Sequence, residues 1–314
     1  IQQLNPAADA VLEYESLNLA GGRNVAVKCI FTKRHDSVLN VLDEIEALRA
    51  LSDHRNIVGF IGSMRQNLVN NVSPFVMFNL IFELANCGDL KELCSRNSMR
   101  PKPSRRLVGY SHEKSTILLL KQILRHILAA LEHIHNLGYA HKDIKIDNIL
   151  VNIPGAQCQH DPSFLELLNF AVFQIGDFGL AQCVEREGGL YVPSTKFCGS
   201  VLYCSPQILA NYHDPERGIT CSFPHGRPAD IWSLGIVAYK LWTDRTLLET
   251  WYFWRARLFD GMIAQDVPQS LYSNYVSHWY KMILQGSSLD NHLECLPSEL
   301  SSFVKMCLRF EECE

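Results

Sequence analysis

Hydrophobic and polar positions along the chain change rhythm about one quarter of the way in. Val25-Ala-Val-Lys-Cys-Ile-Phe31 is a β-branched run broken by one lysine. It follows the turn signal Gly21-Gly22 and predicts the second strand of a hairpin. Val38, Val41, Leu42, Ile45 and Leu48 then fall at helical spacing, predicting a helix from about Ser37 to Leu51 capped by Asp36 or Ser37. Two apolar runs, Asn56 to Ile61 and Phe75 to Phe82, read as strands. After Gly88 the period becomes helical. Leu120, Ile123, Leu124, Ile127, Leu131 and Ile134 form one face of a long helix from about Ser115 to Asn136. A further helix begins near Asp230 and carries Ile231, Leu234, Val237, Ala238 and Leu241, and the last third also reads as helical. The plan is a small sheet-rich half with one helix, then a larger helical half.

Composition narrows the class without changing this plan. The chain has 314 residues, 47% hydrophobic and 20% charged, which fits a globular protein and excludes a disordered or fibrous one. Its length suggests two domains or lobes, with core enough to need no disulfides or metal. Lys plus Arg is 29 against 33 Asp plus Glu, a net charge of −4, so no nucleic-acid partner is expected. The 11 cysteines are odd in number and include no C-x-x-C pair. That argues against zinc ribbons and a secreted disulfide framework. Cys29, Cys87, Cys183 and Cys307 read as small buried hydrophobes in a reducing, cytoplasmic or nuclear, compartment. No stretch is long and apolar enough for a membrane segment, because the run from Ile231 to Trp242 is broken by Ser233 and Lys240.

Two stretches read as insertions. Residues 96–106 hold Arg96, Arg100, Lys102, Arg105 and Arg106 with two prolines and no acid, a solvated loop. Residues 152–170 open with Pro154-Gly155 and read as an extended turn. His133 and His135, two apart, cannot share a helix face as a metal pair and read as packing or surface residues.

Candidate chemistry lies in four features in fixed order. Lys28 sits within an apolar strand, where burial is costly unless the ammonium meets anions. Glu44 lies at the edge of the apolar stripe of the next helix. His141-Lys142-Asp143-Ile144-Lys145-Ile146-Asp147-Asn148 follows the long helix and puts a base, a cation and a metal ligand in one loop. Asp177-Phe178-Gly179 follows the strand-like Ala171 to Ile175, a carboxylate able to hold a hard cation beside a glycine turn. Ser205-Pro206 and Asp230-Ile-Trp-Ser-Leu-Gly235 lie downstream.

In this order the motifs resemble a eukaryotic protein kinase catalytic domain of serine/threonine type, across nearly the whole chain. The resemblance implies an α+β, two-lobed protein-kinase-like fold. Residues 1–85 would form a small antiparallel β N-lobe with one helix, and 86–314 a larger helical C-lobe. It implies ATP and Mg²⁺ as cofactors and a protein Ser/Thr hydroxyl as acceptor. Phe82 would be the gatekeeper, Glu83 and Ala85 would bind adenine through the backbone, and Asp89 would reach the ribose. Val11, Ala26 and Leu150 would enclose the adenine ring. Lys28, held by Glu44, would bind phosphates; Asp177 and Asn148 would hold Mg²⁺. Asp143 would be the base and Lys145 would neutralise the transferring phosphate. Leu48, Phe60, His141 and Phe178 would stack as an internal spine. Gly179, Thr195 and Ser200 would belong to the activation segment, Ser200 contacting the catalytic loop.

Several positions depart from the pattern. The glycine-rich loop would fall on Leu4, Pro6 and Asp9, where proline lacks an N–H and aspartate repels phosphate. His-Arg-Asp is His-Lys-Asp, the usual phosphosite is Lys196, and Ala-Pro-Glu is Ser205-Pro206-Gln207. The arginine that would pair with that glutamate is absent, and the resemblance implies that the chain stops short of the final C-lobe helix. These departures raise the alternative of a pseudokinase acting as a nucleotide-binding or scaffold module.

Overall fold

In the computed structural model the described residues are 10–19, 23–32, 35–69, 74–95, 110–153, 168–186, 190–191, 199–200, 202–205, 208, 226–247, 249–250 and 290–308. The loop positions Leu4, Pro6 and Asp9, the activation-segment Thr195 and Lys196, Pro206-Gln207, the whole insertion 96–106 and, apart from its ends, the insertion 152–170 lie outside them.

The N-terminal half is one antiparallel sheet in the order β1-β2-β4-β3. Its strands are β1 (Ala10–Leu19), β2 (Arg23–Thr32), β3 (Phe60–Val69) and β4 (Pro74–Glu83). β1 and β2 flank Gly21-Gly22, as the turn signal predicts. Central β2 buries Val25, Val27 and Ile30 and also Lys28 and Thr32, so its apolar pattern is nearly continuous rather than alternating.

The strand predicted over Asn56 to Ile61 is displaced. Its apolar centre, Ile57-Val58, makes a parallel bridge to Ile175, and the strand proper starts at Phe60. Edge strand β3 leaves Ile61 and Met64 exposed, so its sequence carries little apolar signal.

Helix α1 (His35–Leu51) joins β2 to β3. It starts two residues before Ser37, which places Asp36 and Ser37 inside its first turn rather than at a cap. Val41, Glu44, Ile45, Ala47, Leu48 and Leu51 are buried, whereas Leu42, assigned above to the apolar face, is exposed.

The second half is built on α3 (Tyr110–Asn136), which follows the short α2 (Leu90–Ser95). The long helix starts five residues earlier than its apolar pattern predicts, and all six predicted face residues are buried. β5 (Tyr139–Ala140), a 3-10 turn (Ile146–Asn148) and β6 (Ile149–Asn152) follow. A second 3-10 turn (Leu168–Phe170) leads into β7 (Val172–Ile175), paired antiparallel with β6. β8 (Gln182–Cys183) pairs with β5, and β9 (Glu185–Arg186) pairs with β10 (Leu190–Tyr191).

Helix α4 (Arg227–Thr243) is buried nearly all round, which suits the centre of a helical lobe. Pro228 sits in its first turn, and left-handed Asp244 ends it with an N–H bond to the Lys240 carbonyl at 2.8 Å. α5 (Asp290–Leu293) and α6 (Ser298–Cys307) close the described chain. α6 packs on α4 at Gly235, where a β-carbon would lie 2.7 Å from Cys307 Cβ. One hydrophobic cluster runs from Ile30 and Leu48 through Ile127 and Phe173 to Trp232 and Val304.

The cysteines depart in part from the reading above. Cys307 is buried, Cys29 is half-buried and Cys183 is exposed. Cys87 is buried and disulfide-bonded. Among the described residues, no helix is long and apolar enough to cross a membrane.

Candidate active site

The site forms where the sheet meets the helical half. Lys28, on β2, is 3% exposed. Its ammonium donates to Glu44 Oε1 at 2.7 Å and to Asp177 Oδ1 at 2.8 Å. The sheet, α1 and the turn after β7 thus converge on one cation. Burial pushes the Glu44 carboxyl above its ordinary value, and Lys28 offsets part of that rise. Burial also pushes Asp177 up, but the charge and hydrogen bond of Lys28, with His141 and Lys145, outweigh it and hold Asp177 below its ordinary value. Asp177 has φ 58°, a left-handed conformation uncommon for a non-glycine residue. The Asp177 side chain remains 37% exposed.

The loop after β5 supplies a second cluster. Asp143 Oδ2 accepts from Lys145 Nζ at 2.6 Å and from Asn148 Nδ2 at 3.1 Å. Asp143 Oδ1 accepts from the Ser200 hydroxyl at 2.8 Å and the Ser200 N–H at 2.9 Å. Lys145 also donates to Ser200 Oγ at 3.0 Å. Asn148 Nδ2 donates to the Asp143 carbonyl at 2.9 Å, and among the described residues its amide oxygen has no hydrogen-bond partner.

The backbone of this loop is fixed from beneath. Asp230, on α4 and 1% exposed, accepts the N–H groups of His141 at 2.9 Å and Lys142 at 2.7 Å. It also bonds His135 Nε2 at 2.9 Å. The motif around Asp230 is visible in the sequence, but its anchoring role needs the fold. His135 is therefore a packing residue with a specific partner.

His141 Nδ1 accepts the Asp143 N–H at 3.2 Å, so its Nε2 carries the proton donated to the Gly176 carbonyl at 3.1 Å. The His141 ring meets Phe178 edge-on, centroids 4.9 Å apart. Leu48, His141 and Phe178 are all fully buried, and Phe60 packs against the same core. Gly179 comes close to Asp177, Glu44 and Lys28; a β-carbon there would lie 3.4 to 3.7 Å from their polar atoms.

The connection after β4 is tied to β6. Val151 N–H donates to the Gly88 carbonyl at 2.8 Å, and Cys87 N–H to the Val151 carbonyl at 3.0 Å. Asn86 brackets Ile153, donating to its carbonyl at 2.8 Å and accepting its N–H at 2.9 Å. Ala26 pairs with Phe82 across β2 and β4, and Phe82 tilts against Phe60, centroids 5.6 Å apart. Glu83 N–H donates to the Gly59 carbonyl at 2.8 Å, and Leu84-Ala85 continue from it. Leu150 is half-buried and bridges to Asp89. Asp89 Oδ1 accepts the Glu92 N–H at 2.7 Å, at the start of α2. Val11 lies across from Phe31, out of step with the Ala26–Lys28 series, in which Ser16 and Tyr14 are the partners.

Of the predicted site residues, Lys28, Glu44, Asp143, Lys145, Asn148, Asp177, Phe178, Gly179 and Ser200 converge. Ala26, Phe82, Glu83, Ala85, Asp89 and Leu150 line the neighbouring connection. Gln182, unremarked in the sequence, accepts from Lys142 Nζ at 2.8 Å.

The protein kinase domain family matches residues 12–313, and the chain belongs to it. Its catalytic domain is of the eukaryotic protein kinase kind. The chain is 27% identical to a probable serine/threonine-protein kinase, fhkD, of Dictyostelium discoideum, over 64% of this chain and 22% of that protein. It is 29% identical to a putative serine/threonine-protein kinase, R517/R518, of Acanthamoeba polyphaga mimivirus, over 76% of this chain and 47% of that protein. It is 30% identical to the meiosis induction protein kinase IME2/SME1 of Saccharomyces cerevisiae, over 61% of this chain and 31% of that protein. The chain thus spans less than half the length of each of these relatives.

Proposed function

We propose that the chain transfers the γ-phosphoryl group of ATP to serine or threonine hydroxyls of a protein substrate. The observation that carries this reading is Lys28 bonded at once to Glu44 and Asp177, at 2.7 and 2.8 Å. A buried lysine aligned by one carboxylate and facing another is arranged to meet a polyphosphate and its cation.

The donor set suits that ligand. Asp177 and the free amide oxygen of Asn148 are hard oxygen donors of the kind Mg²⁺ takes. MgATP, when bound, supplies the transferable phosphoryl group. Lys28 binds and orients the phosphates, with Glu44 fixing its position. Ala26 and Leu150 hold the adenine, the backbone at Glu83 and Ala85 reads its edge, and Asp89 reaches the ribose. Phe82 closes the space behind it. Asp143 orients the acceptor hydroxyl and takes its proton, and Lys145 offsets charge on the transferring group. Positioning and charge neutralisation supply most of the catalysis in this chemistry.

The Ser/Thr preference is supported by Lys145 two residues past Asp143 and by its 3.0 Å bond to Ser200. Labelled transfer to a protein mixture, followed by phosphoamino-acid analysis, tests it. Phosphoserine and phosphothreonine are expected; phosphotyrosine alone, or no label on folded protein, overturns it.

A second reading, a nucleotide-binding or scaffold module without transfer, rests on Pro6 and Asp9 at the glycine-loop positions. Melting-temperature shifts on titration with MgATP separate a nucleotide binder from a pure scaffold.

A further inference from the structure

Lys142 precedes Asp143 and is buried along most of its length, 8% exposed, with its ammonium reaching out to the exposed Gln182. Among the described residues its one side-chain partner is the Gln182 amide oxygen, at 2.8 Å. An ordered ammonium is held most strongly by a carboxylate or phosphate; here the acceptor is neutral.

Three segments meet at this residue. Its N–H is held by Asp230 Oδ1 at 2.7 Å, and its backbone is left-handed at φ 70°, strain that surrounding contacts must maintain. Its carbonyl faces Gly199, where a β-carbon would come within 2.5 Å. Its side chain reaches Gln182 on β8, which pairs with Ala140 on β5. Val184 N–H extends that pairing to the Gly138 carbonyl at 2.8 Å. Lys142 therefore ties the loop carrying Asp143 to both described ends of the segment from Asp177 to Ser200. The position where a phosphorylated side chain would be sought is Lys196, which carries no hydroxyl.

We propose that Gln182 is a positioning residue that takes the place of a loop phosphate. Its amide oxygen holds Lys142, and through it the Asp143 loop, so phosphoryl transfer needs no phosphorylated side chain at this junction. The inference rests on the kinase reading above and adds how that site is kept in order. Lysine suits a single amide acceptor, because its ammonium is a compact point charge, whereas an arginine fork favours a two-oxygen anion.

The test uses the whole chain as wild type, Gln182→Leu and Gln182→Glu, each treated with phosphatase and shown by mass spectrometry to be unphosphorylated. Treated wild type is expected to keep its kcat within about twofold of untreated protein. Gln182→Leu is expected to lower kcat about ten- to hundredfold with the KM for ATP unchanged, because a displaced loop misaligns Asp143 rather than the nucleotide. Gln182→Glu, which restores an acceptor, is expected to match or exceed wild type. Amide hydrogen exchange gives a readout that needs no activity: residues 182–184 and 199–200 should exchange faster in Gln182→Leu and not in Gln182→Glu. Loss of activity on phosphatase treatment, wild-type kcat in Gln182→Leu, failure of Gln182→Glu to rescue, or unchanged exchange each overturns the proposal. Absence of transfer by wild type counts against the kinase reading instead, and the exchange comparison still decides the role of Gln182.

Discussion

Lys28 Nζ lies 2.8 Å from Asp177 Oδ1, a bond between residues 149 positions apart in the chain. The same ammonium holds Glu44 on α1, so one side chain registers the sheet, the helix and the turn after β7. Lys28→Met removes both bonds. Transfer should fall by at least about a hundredfold, since the charge proposed to bind phosphate is lost. The fold should survive, because burial already favours the protonated form of Glu44. Labelled transfer and a melting curve on the same preparation check this. An equal collapse of both would make the lysine structural.

Asp230 is expected to be the costliest polar residue to lose. It is 1% exposed and accepts two backbone N–H groups of the loop that carries Asp143. Hydrogen bonds to a charged group contribute about 1.5–3 kcal/mol each, and both donors would be left unpaired. Asp230→Ala should therefore destabilise by about 3 kcal/mol or more in denaturant titration, with activity lost beyond what unfolding explains. Asp230→Asn, which keeps one acceptor, should fall between.

Gly235 allows α4 and α6 to touch. A β-carbon there would stand 2.7 Å from Cys307 Cβ and 3.1 Å from Leu308 Cδ2. Helix propensity alone would favour Gly235→Ala by up to about 1 kcal/mol. Overpacking costs about 1–3 kcal/mol and opposes it. Gly235→Val should be clearly destabilised, and Gly235→Ala neutral or worse, by denaturant midpoint.

Two histidines give the fold an acid-sensitive joint. His54 Nδ1 accepts the Asn56 N–H at 3.2 Å, and His126 Nδ1 accepts the Phe173 N–H at 3.3 Å. Burial lowers both below the ordinary 6.5, helped by His133 beside His54 and by Arg55 and Arg125 near His126. With folded values depressed, their stabilisation is present above the unfolded value and lost as pH falls below it through the folded value. The melting temperature should drop as pH falls from about 7.5 to below the ordinary 6.5, and His126→Gln should flatten that slope.

The sequence made much of this site legible because its chemistry is written in short local strings. Asp143, Lys145 and Asn148 lie within one loop, and Asp177 adjoins Gly179. Long helix α3 was equally plain from its apolar stripe. β3 was not, because its polar outer positions hide an edge strand while the more apolar Ile57-Val58 makes only a bridge. Leu42 misled in the opposite sense, being apolar, in phase and exposed. The roles of Asp230, His135 and Gln182 depend on contacts across 40 to 95 positions, which no local pattern encodes.

The most direct test of the account compares initial rates of labelled γ-phosphate transfer by wild type and Asp143→Asn, both confirmed folded by melting. Asn at 143 keeps the shape of the side chain but cannot take the acceptor proton. The account predicts transfer to serine and threonine by wild type and a fall of at least about a hundredfold in the variant. Equal rates in the two proteins, or no transfer by either, would contradict it.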